Sequence, residues 1–423
     1  MTMLARTRSI PEALGPRGAR SRVIGLTGGG DGSTLDVDFT TGSLPSGWSF
    51  VRSGNGLYVN ASGGLSSAGT NVPRFAFDPT TLQPLGVLME GQRINYLCHS
   101  QTFLTSTGTN QWADSADFLR YTSDNTAPDG TATALQASCD VANATCINSL
   151  SRTPNANAIG GTFSIWLRRV SGSGSIQLTD NNGTNWTTVA VTSTWTRFQL
   201  PHRTTAQQCG VRIVTGGDAI QMWGAQLEDG SGASSYIATT TGQATRTKDA
   251  LSLTSLAAMG GFTPTAGTLF VDMAFVSEQG AGYSSGSGYP SFAQFAQATV
   301  GGYRMRFIYN NAWLTTPRLL HIGHNASDAQ IGTALTVGSR TALARVKAAF
   351  AWSGSGTVTR TISTNGATGI SGADGTGPVG SADRLLFNQS GANGDDDFPC
   401  YTLRRLKYFP RALTQAELNA LTA

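Results

Sequence analysis

Glutamate and lysine are scarce: the chain has five and three of them among 423 residues. A long coiled coil needs an abundance of both, so that architecture is excluded. Charged residues make up 13%, against ~25% in ordinary globular proteins, which excludes a charge-rich disordered chain. No stretch approaches the ~18 consecutive apolar residues of a membrane-spanning helix. The N-terminal arginines are not followed by the apolar run of ~7–15 residues that would complete a secretory signal. Neither membrane insertion nor a signal peptide is therefore expected. Cysteine is sparse and odd in number: Cys98, Cys139, Cys146, Cys209 and Cys400. Without zinc-finger spacing these argue against a disulfide scaffold. Cys139 and Cys146 could form one bridge; buried thiols are the simpler reading.

Glycine and aromatic residues are present in quantity, with 52 Gly, 8 Trp, 18 Phe and 10 Tyr. The glycines follow no three-residue period, which excludes collagen. The length suits two to four domains at ~100–200 residues each. A net charge of +4 suggests a nucleic-acid partner until it is located. Arg6, Arg8, Arg17, Arg20 and Arg22 against Glu12 account for all of it, and the remainder of the chain balances. Residues 1–32 thus read as a basic extended arm ending in the flexible run Thr27-Gly28-Gly29-Gly30-Asp31-Gly32. No aromatic residue interleaves with these arginines to stack bases, so the expected partner is a protein surface and not nucleic acid.

Residues 33–98 read as short strands and turns, a β-hairpin anchor segment. Asn55-Gly56, between Trp48–Val51 and Leu57–Val59, predicts a tight hairpin. The segment is too small for a large core of its own, so it must pack on a neighbouring domain or subunit. Residues 99–245 read as a β-sandwich. Phe163, Ile165 and Leu167 alternate with Ser164, Trp166 and Arg168, placing the two sets on opposite faces of a strand. Similar patterns recur through residue 227, with a turn at Asn182-Gly183. Residues 246–423 repeat the theme, with a turn at Asn365-Gly366. Thr414 and Glu417 spell a capping box for a short closing helix, with Leu418 and Leu421 as its packing stripe. The fold class is all-β.

Four stretches carry a resemblance. NVPRFAFDPTTLQPLGVLMEGQRINYLCHSQTF (71–103) resembles a recurrent segment of minor virion proteins of tailed bacteriophages and gene transfer agents, namely head spikes and tail fibres. TAPDGTATAL (126–135) and IQMWGAQLEDGSGASSYIATTTGQATRTKDALSLT (220–254) are similar to the opening and close of the jelly roll that follows in such proteins, a fold like that of carbohydrate-binding modules. LKYFPRALTQAELNALT (406–422) is similar to the last strand and helix of concanavalin-like and laminin-G-like sandwiches. The resemblance implies a virion adhesin, a homo-oligomer on the surface of a phage-like particle. Its N-terminal region would dock on a capsid, spike-base or tail protein, and its two sandwiches, jelly roll then concanavalin-like, would face host-surface polysaccharide. The basic arm has no counterpart in the resemblance, so its docking role rests on its charge alone.

The sequence spells no catalytic constellation. Glycosidases on concanavalin-like folds carry paired carboxylates. Here Glu12, Glu90, Glu228, Glu278 and Glu417 are scattered. None of His99, His202, His321 and His324 lies near a nucleophile elbow. His321 and His324 read as strand running into a solvated turn, where they would diverge. The chain is therefore expected not to be an enzyme; a secreted polysaccharide-degrading enzyme with an appended binding module is the alternative, and a bacterial surface adhesin a third. No cofactor is expected, save Ca²⁺ at Asp395, Asp396 and Asp397, the densest carboxylate run; a charged turn is the plainer reading. For glycans the useful groups are aromatics flanked by polar side chains, because sugar C–H faces stack while hydroxyls pair. Trp166, Arg168, Trp186, Trp195, Arg197 and Gln199 fit that description. Trp223 shares a face with Gln221 and reads more readily as core.

Overall fold

The computed structural model describes residues 30–103, 105, 111–121, 125–149, 161–202, 208–230, 232–277, 291–297, 303–310, 318–325, 327, 329–337, 345–374, 379–389 and 400–423. The alternation of small polar and apolar residues yields antiparallel sheets throughout, and Gln415–Thr422 is the one α-helix among the described residues.

The jelly roll has two five-stranded sheets. One runs in the order Thr196–His202, Gly161–Ser171, Ala219–Asp229, Leu135–Cys139, Phe118–Tyr121. The other runs Thr187–Val189, Ile176–Thr179, Gln208–Ile213, Ala144–Ser149, Trp112–Asp114. Between them, Phe163, Ile165 and Leu167 pack with Ile176, Leu178, Val211 and Ile213, as the alternation predicts.

The second sandwich has an eight-stranded and a seven-stranded sheet. Strands from the N-terminal segment complete both. Leu35–Asp38 and Pro84–Met89 pair with Cys400–Phe409, and Trp48–Val51 pairs with Ala250–Leu253. Leu35, Val37, Phe39, Phe50, Val87 and Met89 lie in its core. The neighbour on which this segment packs is thus the C-terminal sandwich itself. The jelly roll is inserted into that sandwich. Its entry and exit run side by side, because Arg93–Asn95 pairs antiparallel with Ala244–Arg246.

The hairpin expected at Asn55-Gly56 does not form. Gly56–Val59 pairs instead with Leu65–Ala68. Arg52 is the reason. Its fully buried guanidinium donates to the carbonyls of Ala68, Gly69 and Val72 at 3.0, 2.8 and 3.1 Å, which draws the chain away from the first strand. The other two turns are as read: Asn182 and Gly183 have φ of 64° and 73°, and Asn365 and Gly366 of 48° and 72°. Thr414 and Glu417 form the capping box. All five cysteines are buried thiols, so Cys139 and Cys146 are not bridged. His321 and His324 are not in a solvated turn: the strand Arg318–His324 continues through both, and both are buried.

Buried ions gather where the jelly roll joins the second sandwich. Arg52 and Arg74 both pair with Asp249, Arg52 at 3.2 Å. Arg74 also meets Glu90 at 2.6 Å, and Arg246 reaches Glu90 at 3.2 Å. From the jelly-roll side, the Ser235 amide and hydroxyl donate to Glu90 at 2.7 and 2.6 Å. Asn95 fills its hydrogen-bonding capacity: it donates to the carbonyls of Ala225 and Ile237 and accepts from the amides of Leu97 and Leu227. Burial alone would raise the Glu90 pKa; the charges of Arg246 and Arg74 and the Ser235 bonds outweigh it and hold the carboxyl well below the usual range.

Candidate functional site

Register creates a row of side chains that sequence order hides. On the outer face of the first jelly-roll sheet, Arg168 lies opposite Gln221, Gln221 opposite Gln136, and Gln136 opposite Tyr121. Trp195 stands just before the edge strand at the Arg168 end of this row, its ring 5.1 Å from the guanidinium carbon. The indole Nε1 donates to the Thr126 carbonyl at 3.2 Å, which fixes the ring.

Gln221 organises the row. Its Nε2 donates to Asn125 Oδ1 at 2.7 Å and to Gln136 Oε1 at 3.1 Å, which turns its Oε1 toward Arg168 Nε. Arg168 is thereby held by its side edge alone. The two terminal nitrogens of the guanidinium remain available as a donor pair. No carboxylate pairs with Arg168 among the described residues. Tyr121 is 46% exposed at the far end, and its hydroxyl accepts from Ser138. The face can therefore offer stacking surface at both ends and an ordered set of amides and one cation between them.

The candidate residues separate into distinct places. Arg168 and Trp195 belong to this row. Trp166 does not present a stacking face: it is 8% exposed, with Arg197 at 4.3 Å over its ring and Trp223 and Tyr236 edge-on at 5.3 and 5.8 Å. Leu57 and Leu65, from the hairpin of the N-terminal segment, pack on the same cluster. The cover comes from a distant part of the chain, which strand alternation does not reveal. Arg197 supports this cluster, donating to the Ser234 carbonyl and Ser164 hydroxyl at 2.6 and 2.9 Å, and burial lowers its pKa to about 10. Gln199 is exposed near the edge and accepts from the Ala233 amide at 3.1 Å. Trp223 is fully buried, as read. Trp186 lies on the opposite sheet, beside Arg212. Asp395, Asp396 and Asp397, and the arginines at 6, 8, 17, 20 and 22, lie outside the described residues. Among the described residues no three His, Cys, Asp or Glu side chains gather to hold a metal. Gln136, Asn125 and Tyr121 were not singled out from the sequence. Only the strand pairing aligns Gln136 and Tyr121 with Arg168, and a bond from Gln221 brings in Asn125.

No family model matches the chain, and no curated protein matches it. Among solved structures it is similar to the Ruminococcus gnavus IT-sialidase CBM40, at 12% identity and TM-score 0.27 over 38% of this chain and 84% of that one. It is similar to domain 4 of AbnA, a GH43 extracellular arabinanase from Geobacillus stearothermophilus solved with arabinotriose, at 13% identity and TM-score 0.27 over 46% and 82%. It is also similar to a Trypanosoma rangeli sialidase, at 11% identity and TM-score 0.26, covering 37% of this chain and 22% of that one. The neighbours thus include carbohydrate-binding domains, but likeness at this level does not say what this chain binds.

Proposed function

We propose that the chain is a non-enzymatic glycan-binding protein whose jelly roll engages saccharide along the Trp195–Arg168–Gln221–Gln136–Tyr121 row. The observation that carries this reading is the pre-set Arg168: stacked on Trp195, oriented by Gln221 and lacking a carboxylate partner among the described residues. A surface with fixed donors between aromatic ends suits a ligand with hydroxyls on its rim and C–H groups on its faces. The glutamates support the absence of catalysis. Glu90 and Glu228 are buried among hydrogen-bond and ion-pair partners, and Glu417 caps a helix.

The particle context rests on the resemblance of residues 71–103. In this reading the protein is displayed on a phage-like particle, as head spike or tail fibre, and its basic arm docks on a capsid, spike-base or tail protein. A glycan array containing neutral and acidic saccharides tests the binding role. Binding that falls at least ~10-fold in Arg168→Gln and Trp195→Ala, with thermal melts showing each variant folded, is expected. A blank array with folded protein overturns it. Deleting residues 2–29 tests the docking role, and retention of the truncated protein on purified particles refutes it. That deletion stops short of Leu35, where the sandwich core begins.

A further inference from the structure

The second jelly-roll sheet repeats the arrangement of the first with different residues. Across its outer face, Thr188 lies opposite Gln177, Gln177 opposite Arg212, and Arg212 opposite Thr145. Gln177 Oε1 accepts from both Nε and Nη2 of Arg212, the Nε bond being 2.8 Å, and its Nε2 donates to the Thr188 hydroxyl at 3.2 Å. The Trp186 ring lies 4.4 Å from the guanidinium carbon. Gly183, at φ 73°, has no side chain, and a Cβ there would come into contact with the Trp186 ring and Ile147, so the turn leaves room for the half-buried indole.

Two features of Arg212 matter. First, a neutral amide occupies its side edge, which leaves the end edge, between Nη1 and Nη2, to form a two-point contact with a planar acid. Second, no carboxylate pairs with Arg212 among the described residues, so its charge is uncompensated on a half-buried surface. The same two features mark Arg168 on the other face. A fixed guanidinium end edge beside an indole and a threonine hydroxyl matches a sugar that carries a carboxylate. The acid meets the guanidinium, a ring C–H face meets the indole, and a hydroxyl meets Thr188.

We infer that Trp186, Arg212, Gln177 and Thr188 form a second glycan site, on the sheet opposite the first, and that it selects acidic sugars of the hexuronate class. The site does not require the Arg168 face to work, so the two readings fail separately. The experiment is calorimetric titration of the full chain with an oligogalacturonate and with its carboxyl-reduced form. Two ligands per chain are expected, with the reduced form at least ~10-fold weaker, as charged hydrogen bonds warrant. Arg212→Gln should remove one of the two, Arg168→Gln the other, and the double variant both. Thermal melts of each variant confirm folding. A single ligand per chain that Arg212→Gln leaves untouched overturns the second site and keeps the first. A single ligand that only Arg212→Gln removes supports the second site and leaves the first to be decided by the glycan array. Absence of oligogalacturonate binding also overturns the second site, while a neutral array hit lost in Arg168→Gln leaves the first standing. Equal binding of a poly-glutamate peptide replaces the sugar with an acidic peptide and overturns it too.

Discussion

His321 should make the C-terminal sandwich lose stability on mild acidification. Its ring is fully buried, and among the described residues neither ring nitrogen has a hydrogen-bond partner. Phe307, Phe350 and Trp352 surround it, with ring centroids at 5.2, 5.8 and 6.4 Å. The charged group acting on it is Arg360, itself buried, whose Nη1 donates to the His321 carbonyl. Burial, and then the Arg360 charge, push the imidazole pKa well below its ordinary 6.5. The unfolded chain therefore takes up a proton that the native state refuses. Stability from this group is complete above the unfolded value of 6.5 and declines as pH falls toward the lower folded value. While the native ring stays neutral, each pH unit below the unfolded value costs ~1.4 kcal/mol.

Replacement of His321 by Leu removes both the titration and the two buried ring nitrogens, which have no partner among the described residues. Leaving a buried polar group unsatisfied costs ~1–3 kcal/mol, so the variant should match or exceed the native protein near neutral pH. Between pH ~7.5 and ~5.5 the gap should widen by ~1.4 kcal/mol in favour of the variant. Carboxylates titrate alike in both proteins and cancel in the difference. Urea unfolding read by hydrogen exchange, in peptides covering strands Arg345–Ser353 and Cys400–Phe409, reports on this sandwich and not on the jelly roll. A gap that stays constant to within ~0.3 kcal/mol would refute the argument, because the native ring would then be charging along with the unfolded one.

Arg74→Met should destabilise the joint between the sandwiches by ~3–5 kcal/mol in urea melts, since Asp249 and Glu90 would remain buried with one cation fewer. It should also make acid unfolding begin at higher pH. Glu90 contributes stability above its ordinary value of 4.5 that fades as pH falls through its depressed folded value, and losing Arg74 moves that folded value up. Trp166→Ala should cost ~3–5 kcal/mol as a core truncation, and a thermal melt unchanged from the native one would return Trp166 to the binding face. Trp195→Ala removes a half-buried ring from the edge of the same cluster, so it should cost less than Trp166→Ala while weakening saccharide binding.

The sheets were legible because period-two alternation is local. Phe163, Ile165 and Leu167 could be assigned to the core from their own neighbours. The turns at 182–183 and 365–366 were legible for the same reason, since positive φ is a property of Asn and Gly themselves. The turn at Asn55 was misread because a long-range contact overrode it: Arg52 answers to Asp249, distant in sequence. Trp166 was misplaced for a related reason. Its strand alternation is correct, but the outward face there is covered by Tyr236 and by the 56–68 hairpin, so outward did not mean exposed. The row through Arg168 needed register, which four separate strands supply and no single stretch encodes.

The most distinctive stretch of the sequence, residues 71–103, turns out to carry joint chemistry more than ligand chemistry. Arg74, Glu90 and Asn95 all lie in it; Arg74 and Glu90 meet Asp249, Arg246 and Ser235 in the chain that returns from the jelly roll, and Asn95 meets the backbone of Ala225, Leu227 and Ile237. The motif therefore exists in two halves that make sense only together. An inserted domain tethered by two paired strands, with buried ion pairs across the root, has fewer ways to swivel than one hung on a single linker. Each paired carboxylate and guanidinium at this root is directional and desolvated, so tilting the jelly roll would expose an unmatched charge to an apolar wall. Rigidity at the root keeps both faces of the jelly roll in a fixed orientation relative to the second sandwich, which is what the proposed binding role requires. The scarcity of charge follows the same logic. Several of the few glutamates and many of the arginines are committed to fixing geometry, whereas Arg168 and Arg212, half-buried with a neutral amide on one edge, are positioned to meet the proposed ligand.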